Sequence, residues 1–388
     1  MTLTLKAGFL PLTDAAPLIV AREMGFAAEE DLELDLVKLP SWSVMRDYLM
    51  LGMIDAAHLL SPVPVAKALG LSGPEGRIDA IAAMNTGGNV IGVSAAIAEE
   101  MRAAGHRFDF ADARAAGEAL LALGRPLRVG VPFPFSMHAE LLYYWLERCG
   151  LSDPAMLAVN TVPPPLMADA LAAGEIDAFC VGEPWGSLSV ENGVGTLLLP
   201  TSAIRRSAIE KVLAVRGGWA DDNSDLAERL LRALWRAGTW LDRPLKRATA
   251  AEIMSRPEYL DLPVNLIERG LNGSFVISEM GEVRQDPHFL TFQEGAVGFP
   301  WRSQASWIAM RIAKRLGLEE ASAIKTGKSC FRTDIYRKHL RELGADLPGA
   351  SEKLEGAISQ PTAVPSERGR VILSPDHFFD GQVFDPES

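Results

Sequence analysis

Asp55 and Asp177 are the first residues to weigh as chemistry, because two matched acids are what general acid–base catalysis uses. Their context argues against it. Asp55 stands in Met45-Arg-Asp-Tyr-Leu-Met-Leu-Gly-Met-Ile-Asp-Ala, and Asp177 in Met167-Ala-Asp-Ala-Leu-Ala-Ala-Gly-Glu-Ile-Asp-Ala. These are two copies of one segment, 122 residues apart, and Gly52/Gly174, Ile54/Ile176 and Pro62/Pro184 coincide as well. An acid repeated together with its frame is expected to make the same local hydrogen bonds twice. Gly327-Lys328-Ser329 has the ending of a phosphate-binding loop, but Ser322 stands where that motif needs its first glycine and no strand precedes it. Cys149, Cys180 and Cys330 sit in apolar or helical surroundings without metal-ligand spacing, so they read as inert thiols of a reducing compartment. No nucleophile elbow or metal motif is present. The expectation is a protein with no catalytic residues, no metal and no cofactor.

Each copy of the repeat reads as a helix closed by a glycine, then a short buried strand, then a turn. In an open α/β sheet, ligands are held at the turns after the strands. Two such units imply two similar lobes facing each other across a cleft, the architecture of a solute-binding protein. A length of 388 residues suits two lobes. A net charge of −12 argues against direct contact with nucleic acid. No run approaches the roughly 18 apolar residues of a membrane helix. Met1-Thr-Leu-Thr-Leu already reads as a strand, with no export signal, which leads to the expectation of a cytoplasmic protein.

The spacing of apolar residues predicts strands at Leu3–Leu10, Leu32–Lys38, Ile78–Met84, Val90–Ser94, Leu127–Val131, Leu157–Thr161, Thr196–Leu199 and Lys211–Val215. Helices are expected from Asp14, as N-cap, to about Phe26, across the Ala-rich stretch Ala95–Gly124, over Met137–Cys149, and over Asp225–Leu241 with Trp235 and Trp240 on its apolar side. The second lobe reads as an insertion, with crossovers near Val90–Ser94 and Ser207–Val215. The expected division is 1–92 for the first part of lobe I, 93–209 for lobe II, 210–320 for a helical return to lobe I, and 321–388 for an extension. After about Gly344 the composition predicts a tail wrapped loosely over the surface.

Phe9-Leu-Pro-Leu-Thr-Asp-Ala-Ala-Pro-Leu, Ser41-Trp42, Ile54-Asp-Ala-Ala-His-Leu-Leu-Ser-Pro, Met137-His138, Val162-Pro-Pro-Pro and Val181-Gly-Glu-Pro-Trp resemble the nitrate- and bicarbonate-binding proteins of cyanobacterial-type ABC importers. Within that family the chain looks most like the cytosolic nitrate/nitrite sensors of the NasS type. The resemblance implies a two-lobe α/β fold of the type II periplasmic-binding-protein class, with a central ligand cleft and a mainly helical C-terminal extension. It places the family's anion ligands on Trp42, His138, Lys211 and, in Thr86-Gly-Gly-Asn89, on Asn89, one methylene shorter than the family's Gln. Nitrate and nitrite accept hydrogen bonds and donate none, so indole, amide, imidazole and ammonium donors suit them. Lys211 would supply the countercharge. A carboxylate there would favour bicarbonate, whose O–H needs an acceptor. Thr13, Pro163 and Glu183 are expected to shape the cleft walls. His58 could line the cleft, though a structural histidine is the favoured reading.

The resemblance further implies nitrate or nitrite as ligand and an antitermination regulator of the NasT type, with an ANTAR domain, as partner. The expected function is a sensor that closes on the anion. The substrate-binding component of an importer is the alternative, and an enzyme on the same fold ranks third.

Overall fold

The computed structural model describes residues 2–345 and 347–387. Ten strands build two sheets: β1 (Leu3–Phe9), β2 (Leu32–Lys38), β3 (Ala56–Leu60), β4 (Ile78–Gly87), β5 (Asn89–Ser94), β6 (Leu127–Val131), β7 (Leu157–Thr161), β8 (Ala178–Gly182), β9 (Gly195–Pro200) and β10 (Ile209–Arg216). The first sheet runs β2-β1-β3-β10-β4 and adds the short strand Leu290–Thr291 at its edge; the second runs β7-β6-β8-β5-β9. In each, three parallel strands are followed by an antiparallel one that arrives from the other lobe. This is the two-lobe α/β fold expected from the repeat.

The repeat holds atom by atom. Ala7 pairs with Ala56 in one lobe, and Val129 with Ala178 in the other, each 122 residues on. The Asp55 carboxylate accepts from the Lys6 N–H at 3.0 Å, and Asp177 accepts from the Arg128 N–H at 2.9 Å. Each acid ties the residue before β3 or β8 to the neighbouring parallel strand. Glycine recurs for a steric reason. A Cβ on Gly8 would lie 2.6 Å from Met45 Sδ and 2.7 Å from Ile54 Cδ1, and one on Gly130 would lie 2.7 Å from Met167 Sδ and 2.8 Å from Ile176 Cδ1. The repeated Met and Ile of the two segments are the groups packed on that bare backbone.

The chain leaves the first sheet at Gly87-Gly88, where φ is +69° and +102°, values that favour glycine. The crossing therefore lies just before Val90–Ser94, which belongs wholly to β5. It returns through 201–208, before β10. Two further expectations change. The Ala-rich stretch is two helices, Ala95–Ala103 and Ala113–Leu121, since Gly105 ends the first in the left-handed region. On the helix Ser224–Leu241 the buried stripe is Leu230, Leu231, Leu234, Ala237 and Leu241, with Trp235 and Trp240 only half-buried at its margin.

The C-terminal tail is not loose. Arg205, in the return crossover, donates to Glu355 at 2.7 Å with both side chains fully buried, and its guanidinium lies over Trp307 and Phe378. Main-chain bonds join Arg206 to His377 and Phe379 to Ile204. Asp380 then accepts from Tyr144 at 2.8 Å on the helix Met137–Arg148. Composition marked this tail as polar and Pro-rich, but its few apolar and acidic residues are the ones that dock. No helix among the described residues is long and apolar enough to cross a membrane.

Candidate anion-binding site

The sequence places one charged pair, Glu210-Lys211, inside the apolar strand β10. Regular pleating would send neighbouring side chains to opposite faces. The register of β10 against β4 slips on both sides of Lys211, and this irregularity lets both side chains meet. Lys211 Nζ donates to Glu210 Oε1 at 2.9 Å and to Asp14 Oδ2 at 2.6 Å. Asp14 lies in the short turn Thr13–Ala15 that opens the helix Ala16–Glu23. It was expected to cap that helix; its carboxylate instead faces Lys211, and no side-chain cap forms.

Around this triad stand four more groups. His58, in the middle of β3, brings Nε2 within 2.9 Å of Asp14 Oδ1, though not aligned as a formed hydrogen bond. Trp42 opens the helix Trp42–Met50, capped by Ser41, and its ring lies 5.8 Å from His58 and 5.5 Å from Lys211 Nζ. The second lobe contributes Asn89 and His138. Asn89 is the first residue of β5. His138 is the second residue of the helix Met137–Arg148, and its Nδ1 is 3.4 Å from Glu210 Oε1 without a formed bond. None of these seven residues is more than 1% exposed. Trp42 Nε1, Asn89 Nδ2 and Oδ1, and both ring nitrogens of His58 and His138 have no protein partner. Buried polar atoms are ordinarily paired, so four side chains from two lobes converge on a place that asks for a polar guest.

The charges are set by proximity. Burial alone would raise the Asp14 carboxyl, but Lys211 and His58 beside it hold it well below the usual carboxylate range. Burial would lower Lys211, yet Asp14 and Glu210 hold its ammonium above the ordinary value. Burial raises Glu210 against the pull of Lys211. His58 and His138 are both lowered, by burial first, and are neutral near pH 7. Lys211 is thus not a free countercharge. Its charge is already met by Asp14, and Glu210 touches it as well, so two acceptors stand beside the donors expected around the anion.

Thr13 and Glu183 join the lobes: the Thr13 N–H and Oγ1 both donate to the Glu183 carbonyl, at 2.8 and 3.1 Å, and Trp185 Nε1 donates to the Pro11 carbonyl at 2.8 Å. The Glu183 carboxyl turns away to the Ser187 N–H, and burial raises it to about 7. Pro163 is half-buried in the turn after β7 and makes no polar contact with the cluster. The groups that were missed, Asp14 and Glu210, carried a readable signal: each is a lone acid within an apolar run, and such an acid needs a partner. Among the described residues no cluster of His, Cys, Asp or Glu could hold a metal ion.

Residues 2–255 match the NMT1-like family. The chain belongs to that family. The nitrate/nitrite binding protein NrtA of Nostoc is 29% identical over 98% of this chain and 83% of its own length. The nitrate import ATP-binding protein NrtC of Synechocystis is 30% identical over 89% of this chain and 51% of its own. The crystal structure of the periplasmic nitrate-binding protein NrtA from Synechocystis superposes with a TM-score of 0.83 at 27% identity, covering 100% of this chain and 96% of that one.

Proposed function

We propose that this protein is a solute-binding protein that holds nitrate or nitrite between its lobes. The observation that carries the reading is the ring of buried, unpartnered donors from both lobes, the indole of Trp42, the amide of Asn89 and the imidazoles of His58 and His138, around the Lys211 ammonium. A planar acceptor-only anion satisfies such a ring, and the NrtA relatives are named for nitrate. One observation favours bicarbonate as a second reading: Asp14 and Glu210 supply acceptors that its O–H could use.

Calorimetry with nitrate, nitrite, bicarbonate and sulfate decides the ligand. Nitrate or nitrite should bind in the micromolar range, about −8 kcal/mol, with sulfate far weaker; Trp42→Ala should weaken binding by about 2 kcal/mol or more through loss of a buried donor and its packing. Bicarbonate tighter than nitrate selects the second reading, and no binding by any of the four removes both.

The similarity to NrtC favours delivery to an ABC importer over the sensor role expected from the sequence. Size-exclusion chromatography with the cognate importer subunits, and separately with an antitermination regulator of the ANTAR type, distinguishes the two. An anion-sensitive complex with the regulator alone would restore the sensor.

A further inference from the structure

The pocket's charge balance leads to a property of binding that rests on the reading just given. Among the described residues Lys211 is the one cation at the site, and two carboxylates already touch it, Asp14 at 2.6 Å and Glu210 at 2.9 Å. The other groups facing Glu210 carry no charge near pH 7: His138 from the second lobe, the amide of Asn89 from β5, and the buried thiol of Cys180 from β8, which burial pushes well above its ordinary value; His58, beside Asp14, is neutral as well. With Glu210 ionised, the sealed cluster sums to one negative charge before any ligand arrives. A nitrate would make it two, in a region shielded from solvent, and isolated buried charge is what proteins avoid.

We infer that the anion enters together with one proton, drawn from solvent onto the carboxylate of Glu210 and shared with the His138 ring 3.4 Å away. The protonated Glu210 then turns from a repelling group into a hydrogen-bond donor toward the anion, and the pocket with its guest returns to one negative charge. Asp14 stays ionised throughout, paired with Lys211. Because the two groups are in contact, the proton belongs to the Glu210–His138 pair rather than to either alone. The ligand class follows: a monovalent oxyanion is taken and a divalent one, which would need two protons, is refused.

The test is calorimetry of nitrate binding to the full chain in phosphate and in Tris, buffers that release very different heats on giving up a proton. Between pH 7 and 9, uptake approaching one proton per nitrate is expected, with Kd rising by up to tenfold per pH unit. Glu210→Gln, which is neutral at every pH and keeps the shape, should bind with no uptake and a flat profile, and should bind tighter than the wild type at pH 9. A wild type whose heat is the same in both buffers and whose Kd is flat from pH 6 to 9 overturns the inference while leaving nitrate binding intact. A Glu210→Gln protein that keeps the wild-type slope overturns the assignment to Glu210. Absence of any nitrate binding strikes instead at the proposed function.

Discussion

The two lobes share a frame and divide the chemistry unequally. At the position of Asp14 in the first lobe, the second has Ser136, 122 residues on. Ser136 Oγ caps its helix, accepting from the Ala139 N–H at 3.2 Å; Asp14 leaves its helix uncapped and bonds Lys211. His58 has Cys180 as counterpart, and Ser41-Trp42-Ser43 corresponds to Pro163-Pro164-Pro165. In reverse, His138 answers to Ala16. The returning strands agree most closely: Lys211 pairs with Leu60 and Asn89 with Gly182, so the cation and the amide occupy one place in the two lobes. The lesson is that glycines, buried apolar groups and strand-tying acids must repeat, because each lobe needs them to fold. Ligand groups need not, because under the proposed function the two lobes share one anion.

The sharpest way to break this comparison is at Lys211 and Asn89. Lys211→Met strands Asp14 as a buried charge and should destabilise the empty protein by about 3–5 kcal/mol. Asn89→Ala, at the matching place, removes an amide with no side-chain partner and should cost about 1 kcal/mol or less. Urea denaturation of both, without anion, measures the contrast; equal losses would mean the two positions are not differently loaded.

Glu183 and Ser61 form the next pair, 122 residues apart and each followed by proline. The Glu183 carboxyl is raised to about 7 in the folded protein from an ordinary 4.5. The folded state therefore holds this proton more tightly, so the group's contribution to stability is greatest at low pH, falls as pH rises from about 4.5 through 7, and is lost above. The span is about 3 kcal/mol. Glu183→Gln should flatten the decline in melting temperature between pH 5 and 8, whereas Ser61→Ala should leave it unchanged. A decline that persists in Glu183→Gln assigns it elsewhere.

The smallest contrast expected is between Gly8→Ala and Gly130→Ala. Each pushes a methyl into a buried Met and Ile, and each should cost about 1–3 kcal/mol. A difference greater than about 1 kcal/mol between them would show that the repeat is not mechanically equivalent.

Much of this was legible beforehand. The Met/Gly/Ile/Asp repeat announced the two lobes because all four are structural necessities of one strand junction. β6 and β7 were read to the residue, since each is a short apolar run between turn signals. What stayed hidden depends on distant contacts. The Asp14–Lys211 bond joins residues 197 apart, and a buried acid at a helix start looks like a cap until its partner is known. The tail looked loose because the few residues that dock it, Glu355, Phe378 and Asp380, are scattered through a polar stretch.

The burial of the seven clustered residues also sets a clock. With none more than 1% exposed, an anion held there as proposed could not enter or leave while the lobes are joined at Thr13 and Glu183. The rate of ligand exchange is then the rate at which that joint parts, so bound anion escapes no faster than the lobes open, whatever its affinity. In a stopped-flow experiment the release rate should be nearly the same for nitrate and nitrite.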